Sequence, residues 1–99
     1  MVNAILLFPV LCMHDFTSSG GPVLSFKKGE ILDIIECHDD WWAAMKMEEG
    51  SNVLVGWISK LYVRRLSKEM AEKLRKIPQV VRVCEYNAEE LYNLPVQNW

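Results

Sequence analysis

Cysteine, histidine and long apolar runs are all scarce in this 99-residue chain, and each scarcity narrows what it does. The three cysteines, Cys12, Cys37 and Cys84, are odd in number and nowhere spaced as CxxC. That argues against a disulfide framework and a zinc site, and for free thiols in a reducing, cytoplasmic compartment. Cys37-His38-Asp39-Asp40 sets three ligand types in a row, but neighbouring side chains cannot converge on one metal without partners elsewhere, and His14 is the only other histidine. No metal and no cofactor is expected. No cysteine carries a motif that brings it a base and an orienting group, so the chain is not expected to be an enzyme. The apolar stretch from Ala4 to Met13 is broken by Pro9 and is far shorter than the roughly 20 residues of a spanning helix. No basic segment precedes it, so neither a membrane span nor a signal peptide is expected. Internal repeats and low-complexity segments are absent.

An excess of one charge sign is also lacking. The net charge is −2, but it divides unevenly: −4 over residues 1–63, +5 over Arg64–Arg82 and −3 over the remainder. The basic stretch is diluted by Glu69, Glu72, Met70 and Leu74, so it is not a polybasic arm, and no nucleic-acid partner is expected. With 51% hydrophobic and 24% charged residues, the composition is that of a folding domain rather than a disordered one.

Residues 8–66 read as short strands between turn signals. Phe8–Phe16 is apolar and meets Thr17-Ser18-Ser19-Gly20-Gly21-Pro22, an extended loop. Ile31–Glu36 is β-branched, Trp41–Met47 follows the polar Asp39-Asp40 turn, and Val53–Ile58 follows Glu48–Asn52 as the second arm of a hairpin. Tyr62–Leu66 makes a fifth strand, and five strands at this spacing imply a small barrel or sandwich. The period then changes. Ser67 is placed to cap a helix over 68–77, with Leu66, Met70, Leu74 and Ile77 on one face and Pro78 ending it. Val80–Tyr86 reads as extended, and Asn87-Ala88-Glu89-Glu90 as a capping box opening a short helix.

Four ordered motifs carry a resemblance. Cys12-Met13-His14-Asp15-Phe16 resembles the ALYDY segment of SH3 domains, and Leu24–Glu30 matches their LSFxxGD. Asp40-Trp41-Trp42 matches the tryptophan pair, and Gly56–Val63 resembles GYxPxNYV. The resemblance implies an all-β, SH3-like five-stranded small barrel over residues 8–66, with a C-terminal helical extension over 67–99. It places Cys12, Leu24, Phe26, Leu32, Ile34, Ala44, Ile58 and Val63 in one core, Gly29 at a turn needing positive φ, and Gly56 where a side chain would crowd a neighbour.

SH3 domains bind proline-rich segments on a shallow aromatic groove, because a polyproline II ligand is already stiff and its rings stack on flat faces. Carried over, the peptide-binding residues are His14, Phe16, Trp41, Trp57, Ser59 and Tyr62, with Asp39 and Asp40 supplying charge. His14 stands where the family has tyrosine, and Ser59 where it has proline. The first long loop, Thr17–Val23, has no carboxylate where the family grips a ligand arginine. Losing such an anchor costs roughly ten- to a hundredfold in affinity. The function implied is a non-catalytic interaction module in a signalling protein. The alternative is a structural or autoregulatory scaffold that packs its own tail or a second copy, with the groove vestigial.

Two further expectations concern the tail. Ile31, Ile35, Ala43, Met45 and Met47 alternate with the core positions and should lie on the outside of the barrel, where the helix or Val80–Val83 would cover them. Leu94–Trp99 resembles the LPxxW that opens a WW domain. That order of segments resembles the amino-terminal regulatory regions of fungal Ras guanine-nucleotide exchange factors.

Overall fold

The computed structural model describes residues 5–47, 52–79 and 82. Five strands are present: β1 (Phe8–Cys12), β2 (Ile31–His38), β3 (Trp41–Met47), β4 (Val53–Ser59) and β5 (Val63–Arg65), followed by one helix, α1 (Lys68–Arg75). The strands form one antiparallel sheet in the order β4-β3-β2-β1-β5. Strand alternation turns Leu32 and Ile34 of β2, Ala44 of β3 and Ile58 of β4 inward. There they meet Val10, Cys12, Leu24 and Phe26 in a buried cluster, with Phe8, Phe16, Trp42 and Val63 packed at its rim. Each large side chain buried there contributes about 1.5–3 kcal/mol.

Several element ends differ from the reading of the sequence. The first strand stops at Cys12 instead of reaching Phe16, because the Cys12 carbonyl accepts from Gly29 N at 2.8 Å where the chain turns away. Gly29 supplies the positive φ, 92°, that this turn requires. Phe16 instead pairs with Phe26, exchanging two backbone bonds of 2.8 and 2.9 Å. The last strand begins at Val63, because Lys60–Tyr62 forms a 3-10 turn with the Ser59 hydroxyl accepting from Leu61 N at 3.3 Å. After α1, Gln79 and Arg82 are helical, and Arg82 N donates to the Pro78 carbonyl at 3.2 Å where an extended segment was expected. The short helix expected from Asn87 lies outside the described residues.

The helix starts where its cap predicts: Ser67 Oγ accepts from Met70 N at 3.1 Å. Its apolar face, Met70, Ala71 and Leu74, packs with Leu66 and Leu11, and with the half-buried Met13, Ile31 and Ile77. Of the five outer-face residues expected beneath the helix or Val80–Val83, only Ile31 packs with the helix; Ala43 is buried, Met47 is 67% exposed, and Val80, Val81 and Val83 lie outside the described residues. Topology explains the difference. The helix follows β5 after two residues, and β5 pairs with β1, so a short connection leaves it above Leu11 of β1, two strands away from β3. Arg75 clamps it with two bonds to Asp33, of 3.2 and 3.1 Å. Arg82 bonds the Leu74 carbonyl at 2.6 Å and the Gly29 carbonyl at 2.9 Å, and Gln79 bonds the Lys28 carbonyl at 3.1 Å. These bonds tie the end of the helix to the turn between β1 and β2.

Candidate functional site

The loop between β1 and β2 is folded back onto β4, and this places the site. Trp57 N donates to the Pro22 carbonyl at 2.7 Å, and Leu24 N donates to the Trp57 carbonyl at 2.9 Å. The approach is so close that a Cβ on Gly56 would sit 2.8 Å from the Pro22 oxygen. Glycine is therefore required there for packing, as the sequence implied. The same contact sets Val23 beside Trp57.

Two groups of rings result. In one, Phe16 stacks between Phe26 and Tyr62 at centroid separations of 5.7 and 5.6 Å, and His14 meets Tyr62 edge-on at 5.9 Å. In the other, Trp41 and Trp57 join Val23 and His38 around an open cavity of about 490 Å³, with the His38 ring edge-on to Trp57 at 5.4 Å. Ser59 connects the groups: it pairs with Trp41 across the sheet and caps the turn that carries Tyr62. Trp41 is 48% and Tyr62 38% exposed, so a ligand can reach both. A larger hollow, about 670 Å³, lies between Leu6–Pro9 and α1 and includes neither group of rings.

Trp42 points away from Trp41 and meets Phe8 edge-on at 5.3 Å. Strand alternation accounts for the split. Asp39 and Asp40 form the two-residue connection between β2 and β3, with Asp39 at φ 50°, and neither lines the cavity. Asp40 is paired with Lys60 at 3.3 Å, and Glu36 with His38 at 2.9 Å. Asp15 is also occupied, accepting from Lys28 N at 2.7 Å. Burial pushes the Cys12 thiol well above its ordinary range, with the nearby Glu30 charge adding to the effect. Among the described residues, no three metal-ligating side chains cluster, and no helix is long and apolar enough to cross a membrane.

Two residues of the site escaped the reading of the sequence. His38 was recoverable, since a two-residue turn places it directly opposite Trp41. Val23 was not, because only the fold-back of the loop onto β4 brings it there.

A family model described as SH3 domain matches residues 13–54. Among solved structures, the chain resembles the C-terminal SH3 domain of myosin IB from Entamoeba histolytica bound to EhFP10(GEF) peptide. The two are 32% identical over 61% of this chain and 93% of that one, with a TM-score of 0.51. It also resembles CED-2, at 25% identity over 65% of this chain and 36% of that one, TM-score 0.54. The SH3 domain of yeast NBP2, 20% identical with a TM-score of 0.51 over 61% of this chain and 98% of that one, supports the fold alone. Nothing in these matches supports the exchange-factor arrangement, and Leu94–Trp99, which suggested it, lie outside the described residues.

Proposed function

This chain belongs to the SH3 domain family, and from that premise we propose that it is a non-catalytic interaction module whose ring-lined face binds a proline-rich or extended peptide. The observation that carries the reading is the placement of two ring groups that reach the surface, His14–Phe16–Tyr62 and Trp41–Trp57, on either side of Ser59, with Phe16 and Trp57 half-buried. A polyproline II segment presents flat rings at a fixed repeat and gives up little chain entropy on binding, so it is the ligand that such spaced aromatic faces suit. The peptide bound to the Entamoeba domain supports the same reading. The bonds that Ser59 makes to the turn hold the ridge between the groups without the family's proline. Asp39 and Asp40 lie at the edge of this face.

The test is titration of the chain with a panel of proline-rich peptides, followed by tryptophan fluorescence and amide shifts. Saturable shifts at Phe16, Trp41, Trp57 and Tyr62 are expected. Shifts confined to other faces would overturn the reading.

One observation favours a second reading, in which the barrel serves its own tail. Leu11 and Leu74 bury each other's surface, and Arg82 reaches back to Gly29. If scaffolding is the main role, removing residues 67–99 unfolds the barrel. If recognition is, the shortened chain still binds peptide.

A further inference from the structure

The cavity at the β3–β4 end of the groove is lined by Val23, His38, Trp41 and Trp57, with no carboxylate among them. The loop that brings Val23 to it, residues 17–23, contains no acid. None of the nearby acids lines the cavity: Glu36 is bonded to His38 from behind the wall, Asp40 pairs with Lys60, and Asp39 stands at the turn. An arginine entering here would exchange water for ring faces and meet no carboxylate in the wall, with Glu36 already bonded to His38, so a weak cation–π contact would be its main return for desolvation. An apolar side chain gives up nothing polar and covers two indoles.

The apolar surface continues past the cavity. Ala44, Gly56 and Ile58 face the core, so the alternate residues of β3 and β4 share the opposite face. On it Ala43 pairs with Trp57, Met45 with Val55 and Met47 with Val53. Met47, Val53 and Val55 are 67%, 48% and 57% exposed. Two steps of two residues carry this strip roughly 13 Å beyond the Trp57 pair, about the length of four extended residues.

Resting on the peptide-groove reading above, we propose that the Val23–His38–Trp41–Trp57 cavity receives a large apolar side chain from the segment flanking the ligand's proline-rich core. The flank's next apolar residues run along the Met45–Val55 and Met47–Val53 strip. The module therefore selects an extended apolar flank, whereas the family pattern selects a basic one.

The test uses the full chain and three peptides that share one proline-rich core. The flanks at both ends are Ser-Ser-Ser, Leu-Ser-Leu or Arg-Ser-Arg, titrated at one fixed salt concentration. The leucine-flanked peptide is expected to bind at least about tenfold tighter than the serine-flanked one, with the arginine-flanked peptide within about threefold of serine. It alone should shift the amides of Val53 and Val55. Arginine matching leucine, or an unperturbed strip, overturns this inference while leaving the groove reading intact. Failure of all three peptides overturns both. Val23→Asp places a carboxylate in the cavity and should reverse the preference toward arginine; an unchanged leucine preference in a folded variant overturns the assignment to this cavity. Should that variant not fold, the three-peptide comparison on the native chain decides alone.

Discussion

Trp57 N donates to the carbonyl oxygen of Pro22 across 2.7 Å, and this bond fastens the first loop to β4 over the side-chain-free Gly56. A Cβ at position 56 would stand 2.8 Å from that oxygen and 3.1 Å from Leu24 Cβ. The oxygen is backbone held by the bond from Trp57 N, and Leu24 Cβ is fixed directly to backbone held by the bond from Leu24 N, so neither swings aside freely. Gly56→Ala should therefore destabilise the domain by about 1–3 kcal/mol, the usual cost of overpacking. It should also weaken peptide binding, because Val23 and Trp57 lose their spacing. Urea unfolding and peptide titration of the same variant check both effects.

Tyr62 links two rings, stacking on Phe16 and receiving the edge of His14. Tyr62→Ala removes both contacts and should cost about 1–2 kcal/mol of stability, at roughly 0.5–1.5 kcal/mol for an aromatic pair. Peptide affinity should fall at least about tenfold, in line with loss of an aromatic anchor. Tyr62→Phe keeps the rings and deletes the hydroxyl, so its affinity separates stacking from hydrogen bonding. Retention of full affinity by Tyr62→Ala would remove this ring from the site.

The helix contributes through burial more than through charge. Leu74 is fully buried against Leu11 and Leu66, so Leu74→Ala should destabilise by about 2–5 kcal/mol. The Arg75–Asp33 pair is half exposed, with side-chain accessibilities of 43% and 22%. Arg75→Ala should cost only about 0.2–1 kcal/mol. Thermal or urea unfolding of the two variants ranks the effects. A larger loss for Arg75→Ala would mean that the tail is held by charge.

The core was legible through the four SH3-like motifs, which put Leu32, Ile34, Ala44 and Ile58 inward. The same motifs marked Gly56 and Gly29, where a neighbour crowds the backbone or φ turns positive. What stayed hidden depends on contacts distant in sequence. Leu11 alternates outward from the core and so reads as exposed, until α1 settles above β1. Val23 is an ordinary loop valine until the fold-back sets it beside Trp57. The aspartates stand at the turn before Trp41, as their place in the sequence implies, and the pairing of Asp40 with Lys60 depends on a contact distant in sequence. Arg82 is helical where an extended segment was expected, and its guanidinium finds two backbone carbonyls distant in sequence.

Cys12 and Cys37 should differ in reactivity, and Cys12 should link stability to pH. Cys12 is buried in the core, and Cys37 is exposed on β2. In the native chain a thiol reagent should modify Cys37 quickly and Cys12 only on unfolding, because the thiolate is the attacking form and burial suppresses it. For stability the sign follows from the raised folded pKa of Cys12. The unfolded thiol loses its proton near its ordinary value of roughly 8.5, while the folded one keeps it. Above that pH the unfolded state binds fewer protons, so stability falls as pH rises, with a slope approaching about 1.4 kcal/mol per unit for one proton. Below it the contribution is constant. Cys12→Ala should flatten the alkaline limb of a stability–pH profile measured from 7 to 10.5 by urea unfolding, at the cost of a small cavity. An identical alkaline slope in Cys12→Ala and the native chain would assign the limb to other groups.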